Sequence, residues 1–217
     1  MSGARKRSGA EESTQERILN AAEQLFAYSG LDGTSVRQIA DKADVQVGLI
    51  NYYFGSKEGL YRAVFTTRAP VVVEERRIGL RMAALEKDPH RRLELIVKAI
   101  IVPMLNMRSR DGSNHFSQLL AREPRDPRSV ERGIIAEIFD PIALEIIESL
   151  KEIWPDRSDA EVHWAYQMII GVMMYIMSDH GRISRLSGGA ADPKNADETL
   201  RIILPLVMQG IEGKPTG

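Results

Sequence analysis

The stretch QVGLINYYFGSK, from Gln46 to Lys57, gathers side chains suited to a nucleic-acid groove. Gln46 and Asn51 carry amides, and Tyr52 and Tyr53 carry phenol hydroxyls. Such donors and acceptors match base edges, sugars and phosphate oxygens. Lys57 follows in the first turn of the next predicted helix, where a cation and free backbone amides together hold a phosphate. Gly48 is small where a helix end would meet a DNA backbone. Val45, Leu49 or Ile50, and Phe54 leave an apolar side for the protein's own core. Two adjacent tyrosines cannot both point inward from a helix. Short helix pairs with aromatic runs also occur in ordinary helical cores, so spacing alone leaves a packing role open.

Enzyme chemistry finds little support. There is no Gly-x-Ser-x-Gly and no phosphate-binding glycine loop. Cysteine is absent, which removes disulfides and thiolate metal sites. His90, His115, His163 and His180 have no partners at metal-ligand spacing. On one helix His163 and His180 would stand about 25 Å apart. No catalytic residue, metal or cofactor is expected.

The elements that must position these residues read as all-α, because apolar residues recur at helical period between widely spaced Gly and Pro. Ser13 with Glu16 predicts a capping box, Ile18, Ala22, Leu25 and Phe26 form a face, and Gly30 ends that helix. A short helix follows, capped by Thr34 or Ser35. After a break at Ala43-Asp44 comes a second short helix holding the Tyr-Tyr-Phe run, and Ser56 caps a fourth. Two short helices joined by about four residues are the helix-turn-helix arrangement, whose second member lies in the major groove. The fourth helix continues past Pro70. Further helices are predicted over 89–107, 113–122, 127–153, 158–184 and 195–212. The chain is expected to divide into a basic arm over 1–12, a helix-turn-helix DNA-binding domain over 13–65, and a larger helical domain over 66–217, to which the resemblance described below assigns ligand binding and dimerisation.

The net charge of −1 is not that of a strongly basic binder, although a basic face can be offset elsewhere. The first residues lack an apolar core, so they do not read as a signal peptide. The longest apolar run is shorter than the roughly 20 residues of a membrane span. A cytoplasmic protein with no membrane partner is expected. Arg5, Lys6 and Arg7 form either a solubilising tail or an arm that reaches a minor groove.

From Arg17 to Phe65 the sequence closely resembles the DNA-binding domain of the TetR family of transcriptional regulators. The resemblance rests on a helix reading A-A-x-x-L-F, Gly30, Thr34-Ser35-Val36-Arg37, Ile39-Ala40, the Val-x-x-Gly turn, Tyr-Tyr-Phe and Ser-Lys-Glu. It implies a DNA-contacting set of Thr34, Ser35, Arg37, Gln46, Val47, Gly48, Asn51, Tyr52, Tyr53 and Lys57. Arg37 would reach a base or phosphate, and Gln46, Val47 and Gly48 would open the recognition helix. Asn51 and Tyr53 would face bases or sugar-phosphate, and Tyr52 and Lys57 would hold phosphates. Many members have a basic or polar residue at Val47 and a tyrosine at Asn51. Val47 suits a thymine methyl, and Asn51 suits adenine or a phosphate.

The larger half is loosely similar to the ligand-binding domains of that family, in particular regulators answering to acyl or aromatic compounds. From Trp164 to Met177 the predicted helix is apolar on nearly every side, so it is buried all round. One face would pack on its own domain and the other on a second subunit. With the helix over 195–212 it would form a four-helix homodimer interface, centred on Gly171, Met174, Ile203 and Val207. Such a dimer would set two recognition helices about 34–36 Å apart on a near-palindromic double-stranded DNA operator. Methionine enrichment with Pro103 and Pro141 points to an apolar pocket lined by Met104, Phe116, Leu120, Phe139, Met168 and Tyr175. His115 and Arg122 are candidates for a polar head group. The expected function is a repressor released from its operator by a small apolar or amphipathic effector. The alternative is a helical ligand-binding or scaffolding protein without operator affinity.

Overall fold

The structure, a computed structural model, describes residues 12–110, 115–178 and 181–213. The basic arm at Arg5, Lys6 and Arg7, and His180, lie outside the described residues. Among the described residues there are twelve α-helices and no strand. The chain forms two units that divide between Val64 and Phe65.

In the first unit α1 spans Thr14–Ser29, and the Ser13 hydroxyl accepts from the Glu16 N–H at 3.2 Å. The short helix α2, Val36–Ala43, starts from a full capping box between Ser35 and Gln38. Asp44 ends it in the left-handed region at φ 52°, and its N–H donates back to Ala40 and Asp41. That single turn allows α3, Val47–Phe54, to begin almost at once. Gly55, at φ 75°, closes α3 by donating to Asn51. The Ser56 hydroxyl then accepts from the Gly59 N–H at 2.9 Å and caps α4, Lys57–Ala84. A Cβ on Gly59 would stand 2.2 Å from the Phe54 carbonyl oxygen, so only glycine lets α4 start against the end of α3. Ile18, Phe26, Ile39, Ile50 and Leu60 are fully buried at the centre. Each such side chain contributes about 1.5–3 kcal/mol of transfer free energy. Phe26 meets Tyr61 edge-on at 5.0 Å.

The second unit contains the remainder of α4, which continues through Pro70, and then α5, Pro89–Arg110, and α6, His115–Arg122. Gly79 brings α4 against α5 so closely that a Cβ there would lie 2.5 Å from the Ala99 methyl. The helix predicted over 127–153 is three helices: α7, Ser129–Arg132; α8, Ile134–Ile138; and α9, Asp140–Ile153. Gly133 breaks the first pair with φ 65°, and Pro141, which has no N–H to give, sits in the first turn of α9. Arg132 grips the fully buried Glu123 through two hydrogen bonds of 3.0 and 2.8 Å, fixing α7 to the turn after α6. The helix predicted over 158–184 ends earlier. Here α10 spans Asp159–Met177, and α11, Arg182–Leu186, restarts after Gly181 at φ 81°. The last helix, α12, is Ala196–Glu212.

Candidate functional site

The exposed face of α3 is built by its own amphipathicity. Ile50 is fully buried, while Tyr52 is 80% and Tyr53 41% exposed. The two rings meet edge-on at 5.1 Å, and Tyr53 also leans on Phe54 at 6.2 Å. Two neighbouring phenols are thus held out from the core by each other. Gln46 is the N-cap of α3, yet its amide makes no capping bond, and Gln46, Val47, Gly48 and Asn51 are all exposed. The first backbone N–H groups of a helix have no intrahelical partner, and its dipole favours an anion there. Gly48 is informative for what it does not touch. A Cβ there would meet nothing within 4 Å. Glycine in a helix costs about 1 kcal/mol relative to alanine, and no packing among the described residues calls for it. On α2, Ser35 and Arg37 are also exposed.

Two residues of the DNA-contacting set are placed differently. Thr34 is buried, and its hydroxyl donates to the Gly30 carbonyl at 2.8 Å and the Leu25 carbonyl at 3.2 Å. Its side chain is committed to the corner between α1 and α2, and the cap is Ser35. Lys57 is half-buried, and its ammonium donates to the carbonyls of Leu31 at 2.8 Å and Thr34 at 3.0 Å. An ammonium has three donors, so one N–H is left for a phosphate. The first task of Lys57 is to tie α4 to the α1–α2 corner.

Residues 18–64 match the family profile described as bacterial regulatory proteins, tetR family. Residues 98–210, more than half of the chain, match the tetracyclin repressor-like C-terminal domain. The chain belongs to the TetR family. It is a DNA-binding transcriptional regulator with an N-terminal helix-turn-helix unit and a larger helical unit. The TetR-family relative CecR of Shigella flexneri, an HTH-type transcriptional dual regulator, is 24% identical over 211 residues, covering 92% of this chain and 93% of CecR. YttP of Bacillus subtilis, a probable HTH-type transcriptional regulator, is 52% identical over 48 residues, covering 22% of this chain and 23% of YttP. Among solved structures, FadR of Bacillus subtilis in complex with stearoyl-CoA matches with a TM-score of 0.64 at 20% identity, covering 89% of this chain and 97% of that one. That likeness shows the fold.

The TetR-type second unit does not assemble the six predicted pocket residues into one lining. Met104, Phe116, Leu120 and Phe139 are buried in the core, and Phe116 stacks edge-on against Phe65 at 5.6 Å. Met168 and Tyr175 instead face outward, the latter 63% exposed. A cavity of about 340 Å³ beside α11 takes in only Tyr175 of the six, and is walled also by Ile176, Ile183, Pro193, Ile202 and Ile203. The predicted dimer residues also separate. Val207 is inside its own subunit's core and Ile203 lines the cavity, whereas Gly171 is exposed with open space above its Cα and Met174 is half-buried. Within the single chain α10 is covered on one face only, as expected of a helix whose other face is assigned to a second subunit. Val162, Ala165, Ile169, Met173 and Met177 are buried, but Trp164 is 73% exposed. Trp164, Met168, Gly171 and Tyr175 follow one another at helical spacing on the outer face. Ile202 and Leu206 do the same on α12, and Met168 packs against the α12 glycine Gly210, where a Cβ would lie 3.0 Å from its terminal methyl.

One residue escaped the sequence reading. Arg76 is buried inside the second unit, and its Nε has no hydrogen-bond partner. Burial pushes it below the ordinary arginine value, and the half-buried Tyr166 phenol opposes that shift. The signal was present in periodicity: Ala69, Val72, Arg76, Leu80 and Ala83 form the buried stripe of α4.

Proposed function

We propose that the protein is a homodimeric repressor that leaves a near-palindromic operator when a small apolar or amphipathic effector enters its second unit. The observation that carries the dimer is the apolar outer face shared by α10 and α12, with Trp164, Tyr175 and Leu206 each more than half exposed. Apolar surface of this contiguity on a single chain marks an interaction site. Two copies of a two-helix face make an isologous four-helix contact. Gly171, where a Cβ would meet nothing within 4 Å among the described residues, allows a partner backbone to approach. Dimerisation matters because two recognition helices must meet half-sites about one DNA turn apart. Arg37, Gln46, Val47, Gly48, Asn51, Tyr52 and Tyr53 form the reading surface, with the α3 N-terminus and the remaining Lys57 donor set against phosphates.

Effector control has support from the fold, since FadR of Bacillus subtilis holds stearoyl-CoA on a chain of similar architecture. In this chain α4 begins in the first unit and ends in the second, so a guest packing against α4 acts on an element that both units share. A guest shifts DNA affinity only through its differential affinity for two arrangements. The test is a titration of an inverted-repeat fragment from DNA flanking the gene, beside a single half-site, followed by sedimentation. The proposal requires a dimer that binds the repeat far more tightly than the half-site. Equal affinity for both fragments, or a monomer at micromolar concentration, would refute it.

A further inference from the structure

We propose that Arg76 is the anchor for an anionic head group, so that the effector is a monocarboxylate carried on an apolar body. This rests on the reading above that the second unit admits an effector, and narrows it to one chemistry.

Arg76 is 3% exposed. Its Nη2 reaches the Ile100 carbonyl at 3.5 Å, the outer edge of hydrogen bonding to oxygen, and the Met173 sulfur, a weak acceptor, at 3.5 Å, and its Nε has no partner. A guanidinium carries five donors and stays charged in proteins. Among the described residues no carboxylate pairs with it. On α4 and α9, Glu74 pairs with Arg77 and Arg81, and Glu145 with Arg77, while Asp140 acts on the Tyr166 phenol. A charge removed from water without a partner is strongly unfavourable. A leucine or methionine would complete the buried stripe of α4 without that cost. The arrangement makes chemical sense when the working molecule receives its anion from outside.

The surroundings are suited to admitting one. Arg76 lies where α4, α5 and α10 converge, between Ile100 and Met173. Met173 and Met104, one turn beyond Ile100, are both buried, and methionine re-packs readily around a guest. Pro103 has no N–H for the Ala99 carbonyl, which leaves α5 short of one hydrogen bond beside the site. A carboxylate accepts two parallel bonds from the guanidinium fork, and Tyr166 brings a phenol within electrostatic reach of Arg76. One cation among apolar walls suits one negative charge. The cavity beside α11 is a poorer host for such a molecule, because its two charged lining residues, Asp192 and Glu198, are acids.

The test uses the full chain with decanoate and cinnamate, and with decanol and cinnamyl alcohol as their neutral twins, by calorimetry and thermal melting. At least one carboxylate is expected to bind, with its alcohol roughly 10- to 100-fold weaker. Arg76→Met is expected to abolish that preference, leaving acid and alcohol equal. The free variant is expected to melt no lower than the wild type, because an unpaired buried charge has been removed. Arg76→Lys keeps the charge but not the fork, and is expected to bind the acid more weakly than wild type and more tightly than Arg76→Met. Binding of neither carboxylate, or an undiminished acid preference in Arg76→Met, overturns the anchor. Operator titration separates the two readings. A carboxylate held by Arg76 that leaves operator affinity unchanged preserves the anchor and removes the effector role.

Discussion

The Lys57 ammonium donates to the Thr34 carbonyl oxygen at 3.0 Å, across 23 positions of sequence. The same ammonium holds the Leu31 carbonyl, and the Thr34 hydroxyl turns inward to the carbonyls of Gly30 and Leu25. The start of α4 is thereby bonded to the corner that launches α2. The exposed Ser35 and Arg37 follow directly from that corner.

Lys57→Ala is accordingly expected to destabilise the first unit, by about 1.5–3 kcal/mol for charge-assisted bonds lost from partly buried acceptors. Operator affinity falls with it. Urea unfolding of the variant checks this. If stability is unchanged while affinity drops and the salt slope falls by about one unit, Lys57 acts through a phosphate alone and the tie is unimportant.

Gly48→Ala is expected to do the opposite. Its Cβ would enter open space, and alanine favours a helix over glycine by about 1 kcal/mol. The variant should be equally or more stable, and should bind operator more weakly because the added methyl stands where the backbone of the DNA approaches. Melting and fluorescence anisotropy on one preparation decide it. Undiminished operator binding would mean that the duplex keeps clear of this end of α3.

Much of the fold could be read from periodicity and caps, and the exceptions have physical causes. Ser35 and Thr34 are neighbours with the same hydroxyl chemistry, so the sequence offered both as cap and both as DNA contacts. Only the chain path shows that Thr34 turns inward. Gly133 and Pro141 broke a predicted long helix because their local preferences outweigh the apolar pattern around them. The outer face of α10 was legible as apolar, but which residues lie on it was not, since hydropathy does not tell a core from an interface: Gly171 falls outside and Val207 of α12 inside. Arg76 was hidden by company. In the run Glu74-Glu75-Arg76-Arg77 it reads as one more solvated charge, and only its phase with Val72 and Leu80 places it inside.

Tyr53→Phe and Asn51→Ala test the reading surface itself. Both residues are exposed on α3, so neither change should alter the melting midpoint by more than a small amount. Each removes a hydrogen-bonding group, and loss of a specific base contact costs about 1–3 kcal/mol of discrimination. Asn51→Ala is expected to relax preference at one base pair of the operator, whereas loss of a phosphate contact would lower affinity for all sequences alike. Binding to a set of single-base operator variants distinguishes the two. An unchanged profile for both variants would remove these residues from the interface.

Leu206→Glu and Val207→Glu are adjacent substitutions with opposite expected consequences. Leu206 is 60% exposed on α12, while Val207 is 4% exposed and packed in its own subunit's core. A glutamate at 206 meets water in the monomer, so the chain should stay folded. It meets an apolar partner face in the dimer, where a desolvated unpaired charge is strongly unfavourable. Sedimentation should therefore show folded monomers, with affinity for a full inverted repeat reduced to that for a half-site. A glutamate at 207 is buried in either state, so it should lower stability by several kcal/mol, about the 3–5 of an uncompensated buried charge, before assembly is at issue. Circular dichroism read beside sedimentation keeps the two effects apart. A Leu206→Glu protein that is still dimeric at micromolar concentration would move the interface away from the α10–α12 face.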